Sequence, residues 1–183
     1  MSPSLYDLPA PECAAALIGV GLFVEGVGGT IVETEAYRPD DPASHSFAGR
    51  TARNGAMFGP VGCAYVYRSY GLHWCFNIVC GDPGSAVLIR ALAPEAGLEA
   101  MRVRRRMEGL KDLCRGPGRL CQALGLEARH DGAHLSQPPF RLVASKTCPD
   151  LVTGPRIGIS RGVDTPWRFG LRGSAFLSRA FRP

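Results

Sequence analysis

The sequence predicts a single α+β domain: a largely antiparallel, curved sheet with flanking helices and a protruding β-hairpin. Predicted strands outnumber predicted helices, and few β-α-β alternations occur, which disfavours a parallel sheet. A chain of 183 residues with 45% hydrophobic content can close one sizeable core. We therefore expect one domain over residues 1–183, with a loosely ordered segment at residues 1–14.

An apolar run at residues 14–24 comes first. Glu12 and Glu25 flank it, and no basic segment precedes it as a secretory signal would require. The run is also too short to cross a bilayer, which takes about 20 residues. We therefore expect a cytoplasmic protein without a membrane partner.

Strands are predicted at residues 22–27 and 30–34, on either side of a GVGG turn. Residues 63–80 are rich in aromatic and β-branched side chains around Gly71, which predicts a hairpin. Residues 85–92 form another apolar strand with Arg90 near its end. In the tail, residues 155–162 and 167–173 alternate basic and apolar side chains and predict two further strands.

Two helices are predicted between these strands. Residues 94–106 place Leu98, Met101 and Val103 on one face. Residues 116–126, GPGRLCQALGL, form the second helix, with Pro117 in the first turn, where proline is tolerated.

Charge is segregated along the chain, which carries a net charge of +5. Residues 1–50 contain seven acids and two bases, residues 101–119 seven bases and two acids, and residues 155–183 six bases and one acid. Clustered arginine is typical of a nucleic-acid partner, because each cation placed at a phosphate releases counterions. The solvated face of a helix explains RVRRRMEGLK equally well.

Seven cysteines, an odd number without a CxxC pair, argue against a disulfide framework and a zinc ribbon. Buried free thiols are the better interpretation. We expect no metal and no cofactor.

A pair of glutamates ends the second predicted strand. Alternation along the strand places Glu33 and Glu35 on one face. A carboxylate desolvated there has a raised pKa and suits general-base catalysis, so Glu35 is a candidate base. A glycosidase built on both glutamates is conceivable, but residues two apart are too close to flank a sugar. Taken alone, two solvent-facing glutamates would be the favoured interpretation.

Aromatic residues near this strand suit a flat ligand. Tyr37 and His45 could stack on a ring, although half-buried packing residues would look the same. Tyr70 lies beside the turn glycine of the hairpin. There it is placed either to enter a base stack as a wedge or to fold onto its neighbours.

Five motifs in order carry a family resemblance: VETEAYRPDDPASHS, TARNGAMFG, YVYRSYGLHWCFNIV, AVLIRALAP and GPGRLCQALGL. Together they resemble the alkyladenine (3-methyladenine) DNA glycosylases over roughly residues 17–179. The chain departs from the family pattern at His73, where a tyrosine is expected, and at Gly118, where a serine is common. The spacing from Tyr37 to His45 is also one residue shorter.

The resemblance implies an enzyme that extrudes alkylated or deaminated purines from duplex DNA and hydrolyses the N-glycosidic bond. It implies Glu35 as the base that activates water and Arg90 as the residue that holds it. The remaining implied roles are pocket walls at Tyr37, His45 and Tyr67, guanine exclusion at Asn77, intercalation at Tyr70, and DNA binding or site support at Arg53, Asn54 and Arg119.

Only Lys111 and Lys146 could supply a lysine for a strand-cutting Schiff base, and both lie outside these motifs. We therefore predict a monofunctional glycosylase, acting as a monomer on damaged double-stranded DNA in a bacterial nucleoid. The alternative is a protein that binds damaged DNA without cutting it. A carbohydrate hydrolase explains neither the basic tail nor the hairpin.

Overall fold

The computed structural model describes residues 4–181. Within that range lie three α-helices and eight strands. In chain order they are α1 Ala10–Ala16, β1 Gly21–Val24, β2 Val27–Tyr37, β3 Ala64–Ser69, β4 His73–Val79, β5 Ala86–Ala96, α2 Leu98–Arg105, α3 Pro117–Leu124, β6 Phe140–Val143, β7 Leu151–Gly154 and β8 Arg168–Leu171. The α+β class expected from the sequence is confirmed.

All strand pairs in the sheet are antiparallel, and the main order is β3-β4-β5-β2-β1-β6. One edge of β2 is divided between two partners, because residues 27–30 pair with β1 and residues 33–35 pair with β8. The pairing of β2 with β5 shifts register on both sides of Glu33. Such bulges bend a strand and increase its twist, so β2 changes direction where its glutamates lie.

Two glycines allow the close approach of three strands. A Cβ atom on Gly28 would lie 2.0 Å from the carbonyl oxygen of Leu22, and one on Gly29 would lie 1.9 Å from that of Ala93. Both glycines belong to β2, so the predicted GVGG turn is wrong in position. The chain turns one step earlier, at Glu25 and Gly26, where both residues have positive φ.

The expectation of a loosely ordered segment at residues 1–14 is wrong for the part that the structure describes, while residues 1–3 lie outside the described range. Helix α1 buries Cys13 and Ala14 completely. It is joined to the sheet by Thr34, whose Oγ1 donates to the Ala14 carbonyl at 2.9 Å. Short apolar side chains suffice here because the helix lies directly on β2.

Element boundaries differ from the sequence prediction at two further places. Strand β5 runs to Ala96, so the helix predicted from residue 94 begins only at Leu98, after Gly97 in the left-handed region. Residues 155–162 form a loop after β7 instead of the predicted strand. Helix α3 is confirmed, with Pro117 in its first turn.

The cysteines are free, and all but the exposed Cys148 are buried. No helix among residues 4–181 has the length and apolar character that a membrane span needs.

Candidate active site

A row of directly opposed residues crosses five strands and orients the site. Across the sheet, the pairs are Tyr65 with Asn77, Asn77 with Leu88, Leu88 with Glu35, and Glu35 with Arg168. Opposed residues of antiparallel strands project from the same face of the sheet. The row therefore brings a tyrosine, an amide, a carboxylate and a guanidinium to one face.

Glu35 is fully buried, so the interpretation of a solvent-facing glutamate is wrong. Its Oε1 accepts a hydrogen bond from the backbone N–H of Ile157 at 2.7 Å. Its Oε2 accepts from the Tyr37 hydroxyl at 2.9 Å and from Arg90 Nη1 at 3.2 Å. Burial raises the pKa of Glu35 above its ordinary value, although Arg90 and the two other donors oppose the rise.

Glu33 is equally buried. Its Oε1 accepts from Nε of Arg90 at 3.1 Å and from Nε of Arg168 at 2.8 Å, and Ser178 donates to both carboxylate oxygens. The two glutamates thus bind one guanidinium, that of Arg90. A paired-carboxylate glycosidase needs its carboxyl groups on opposite sides of a sugar, and this arrangement does not provide that.

A cavity of about 1130 Å³ opens beside this charged cluster. Its wall is formed by residues of the sheet, the hairpin and the neighbouring loops, among them Tyr37, His45, Tyr65, Tyr67, Asn77, Leu88, Arg90 and Ile157. Glu35 lies immediately behind Tyr37, Arg90 and Ile157, each of which it contacts. The cavity is large enough for a ligand of nucleotide size.

The aromatic residues of the cavity contact one another. The rings of Tyr65 and Tyr67 are stacked with centroids 5.3 Å apart, and the ring of His45 meets that of Tyr67 edge-on at 4.4 Å. Burial, assisted by the charge of Arg53, lowers the pKa of His45, while burial raises the pKa values of both tyrosines. These cavity walls are therefore uncharged near neutral pH.

Two asparagines have well-defined positions. Asn77 lies in the cavity wall, and its Nδ2 donates to the Tyr65 carbonyl at 3.0 Å, which fixes the amide plane. Asn54 is buried and donates to the carbonyls of His45 and Gly49 while accepting from Thr51. Asn54 therefore supports the loop that carries His45.

The hairpin tip is exposed. Tyr70 is 89% exposed and Leu72 77% exposed, so the interpretation of a tyrosine folded onto its neighbours is wrong. Tyr70 has a φ of 50° and Gly71 a φ of 70°, the conformation of a tight hairpin turn. The turn holds the ring of Tyr70 out at the cavity rim.

The predicted basic residues lie at different distances from the cavity. Arg53 is exposed and belongs to the cavity wall. Arg119 pairs with Asp112 at 3.3 Å and is not part of the wall, although Pro117 two residues earlier is. A Cβ on Gly118 would lie 2.6 Å from His73, so the two departures from the family pattern contact each other.

Several charged or polar residues of the site were missed by the sequence reasoning. Besides Arg168 and Ser178, Arg156 forms a buried bidentate pair with Asp41, and its guanidinium lies 4.7 Å from the centroid of the Tyr37 ring. The available signal was an arginine among apolar residues, because a buried cation requires a partner. The sequence did not indicate which acid that partner would be.

Comparison with known proteins identifies the family. The model of the family described as Methylpurine-DNA glycosylase (MPG) matches residues 4–175. The molecule is therefore a DNA glycosylase, a DNA-repair hydrolase that acts on N-glycosyl bonds in base excision repair. More particularly, the chain belongs to the methylpurine-DNA glycosylase family.

Bacterial relatives match along nearly the whole chain. A protein of Agrobacterium fabrum (strain C58) is 58% identical over 180 residues, which cover 98% of this chain and 93% of the relative. A protein of Granulibacter bethesdensis is 62% identical over 178 residues, which cover 94% of this chain and 84% of the relative. A protein of Rhizobium meliloti (strain 1021) is 59% identical over 172 residues, which cover 94% of this chain and 92% of the relative. Each is named "Putative 3-methyladenine DNA glycosylase".

Proposed function

We propose that this DNA glycosylase removes alkylated or deaminated purines of the 3-methyladenine, hypoxanthine and ethenoadenine class from duplex DNA and leaves an abasic site. The observation that carries the proposal is the fully buried carboxylate of Glu35, held by Arg90 behind an aromatic cavity. The names of the bacterial relatives support the substrate class. A protein that only binds distorted DNA gains nothing from a desolvated carboxylate at this position.

Recognition begins with extrusion of the damaged nucleotide. A base within the stack is unreachable, and a lesion that pairs badly takes less free energy to extrude. The exposed ring of Tyr70, at the rim of the cavity, fills the gap that the nucleotide leaves.

The cavity then selects the base. The rings of Tyr37, His45 and Tyr67 carry no charge. They therefore attract a flat cationic base through stacking and cation–π contacts. Burial raises the pKa of each of these two tyrosines and lowers that of His45, so none is a good acid for protonating a departing neutral purine. Cationic purines are already good leaving groups and need no protonation. They are therefore released faster than hypoxanthine.

The hydrogen bonds of Glu35 indicate which oxygen accepts the proton. A carboxylate oxygen has two acceptor positions. Oε2 already receives two donors and Oε1 receives one, so Oε1 has capacity for a water. That water loses its proton to Glu35 while its oxygen bonds to the sugar C1′. The C1′–N bond breaks through a cation-like transition state, and its electron pair leaves with the base.

The reaction ends at the abasic site. Lys111 lies in the turn Leu110–Asp112, and Lys146 lies beside a separate depression, so neither belongs to the cavity wall. Incubation of abasic product without alkali should leave the strand intact. Strand cleavage abolished by Lys111→Ala or Lys146→Ala would contradict a monofunctional mechanism. The enzyme acts as a monomer on the bacterial nucleoid in this proposal.

The experiment compares wild type, Glu35→Gln and Glu95→Gln on duplexes that carry a single hypoxanthine, ethenoadenine or 3-methyladenine. Alkali then cleaves the abasic sites. Glu95 is an exposed glutamate of β5 and serves as the matched control. Base release by wild type and by the control, but not by Glu35→Gln, is the expected result. An inactive wild type or a fully active Glu35→Gln variant would refute the proposal.

A further inference from the structure

The carboxylate of Glu33 is fully buried and does not belong to the cavity wall. Its Oε1 receives Nε of Arg90, Nε of Arg168 and the hydroxyl of Ser178, and its Oε2 receives the N–H of Ser178. Of these partners only Arg90 lines the cavity. Glu33 therefore takes part in catalysis only through the residues that it holds.

We propose that Glu33 is the positioning residue of this site, directing Arg90 at Glu35, and that Ser178 in the C-terminal segment holds Glu33 in place. The proposal rests on the role of Glu35 as the general base. It assigns a function to the first glutamate of the strand and to the last residues of the described chain.

The geometry of the arginine supports this role. Arg90 directs Nε to Glu33, Nη1 to Glu35 and Nη2 to the Ser178 hydroxyl, at 3.1, 3.2 and 3.4 Å. A guanidinium is a planar, rigid fork. When Nε and Nη2 are held, the direction of Nη1 is fixed as well, and the Nη1 proton points at Oε2 of Glu35.

The charge balance supports it independently. The titratable and charged groups around Glu35 are Glu33 and Tyr37 of β2, Cys75 of β4, Arg90 of β5 and Arg156 of the loop, and Arg168 of β8 lies opposite Glu35 in the strand register. Glu33 and Glu35 balance Arg90 and Arg168, so the negative charge of Glu33 offsets part of the positive field at Glu35. Loss of that charge stabilises the anion of Glu35 and makes it a weaker base.

Two arginines bind the backbone of the C-terminal segment on either side of Ser178. Nε of Arg115 donates to the Leu177 carbonyl at 2.9 Å, and Arg168 donates to the Arg179 carbonyl. The guanidinium of Arg168 also lies 3.8 Å from the centroid of the Phe181 ring. Arg115 and Arg168 thus hold residues 177–181 on both sides of Ser178.

The test uses Glu33→Gln and Ser178→Ala, with Glu95→Gln and Ser174→Ala as matched controls. Ser174 precedes the C-terminal segment, and its hydroxyl bonds only to the nearby N–H of Phe176. Single-turnover base release is measured against pH, together with affinity for abasic duplex and thermal unfolding. Glu33→Gln should lower the rate at neutral pH about 10-fold or more and move its acidic limb down by about 1 pH unit. Ser178→Ala, which removes no charge, should lower the rate about 3-fold to 10-fold without moving the limb. Affinity for abasic DNA should stay unchanged in both.

An unchanged rate and an unmoved acidic limb in Glu33→Gln would overturn the proposal, as would a rate loss matched by an equal loss of folded protein. If Glu33→Gln does not fold, Ser178→Ala decides, and wild-type activity in that variant overturns the proposal. Base release that needs Glu35 but not Glu33 refutes this inference alone. Full activity of Glu35→Gln refutes both it and the proposed function.

Discussion

The hydroxyl of Tyr65 lies 2.8 Å from Nδ1 of His45, joining strand β3 to the loop that follows β2. The same tyrosine accepts a hydrogen bond at its backbone carbonyl from Asn77. Tyr65 therefore orients two walls of the cavity, one through its side chain and one through its backbone.

Removing only the hydroxyl tests the first of these links. Tyr65→Phe retains the ring stacked on Tyr67 but leaves His45 without its partner, so affinity for lesion duplex should weaken by about 1 kcal/mol, roughly fivefold. The affinity is measured by fluorescence anisotropy in a Glu35→Gln background, in which the lesion should stay uncleaved. Tyr6→Phe, in the turn Leu5–Asp7, is the control, and equal affinity in all three proteins would exclude a role for this bond.

The pH dependence should follow Glu35. Burial raises its pKa above the ordinary value near 4.5, and a general base acts only when deprotonated. The single-turnover rate on a cationic purine should therefore fall as pH drops through the raised pKa and level off above it. Residual activity of Glu35→Gln should lack this limb. A limb at or below the ordinary value would contradict the predicted desolvation.

The backbone of Tyr70 is strained, and the proposed insertion of its ring into DNA offers a reason for a tyrosine at this position. A side chain with a φ of 50° is strained, and asparagine tolerates this region better. Tyr70→Asn should raise the free energy of unfolding by up to about 1 kcal/mol and weaken binding to abasic duplex by about 1–3 kcal/mol. Urea unfolding and anisotropy give the two values. Val103→Ala, a change at another exposed apolar side chain, should alter neither. Unchanged affinity in Tyr70→Asn would remove the wedge from the mechanism.

The Asp41–Arg156 pair should contribute strongly to stability because both side chains are almost wholly buried. Asp41→Asn leaves a buried guanidinium without its counter-charge, which should lower the free energy of unfolding by about 3–5 kcal/mol in urea. Asp150 pairs with Arg172 on the surface, so Asp150→Asn should cost about 1 kcal/mol or less. Equal effects of the two variants would contradict the burial of the first pair.

Local pattern predicted the sheet well and the helices less well. The hairpin around Gly71 and the strand carrying Arg90 have the side-chain alternation and composition of strands. Helix α1 was missed because its seven residues bury mainly alanine and cysteine, and so lack a long apolar stripe. The start of α2 was misplaced because the prediction began the helix at Pro94, which belongs to β5, whereas Gly97 separates the strand from the helix.

The family motifs brought together Glu35, Tyr37, Tyr67, Asn77 and Arg90, which the structure indeed places around one cavity. The supporting charges could not be predicted because their partners lie 115 to 145 positions away in the chain. The charge segregation along the sequence was interpreted as acidic and basic surfaces. Part of it is instead internal pairing, of Asp41 with Arg156 and of Glu33 with Arg168.

That long-range pairing affects how the chain folds during synthesis. When β2 leaves the ribosome, Arg168 and Ser178, two partners of Glu33, have not yet been translated. A buried carboxylate without its counter-charge opposes compaction. A chain that stops before Arg168 therefore lacks two of the three residues that hold Glu33, and only Arg90 remains to bind its carboxylate.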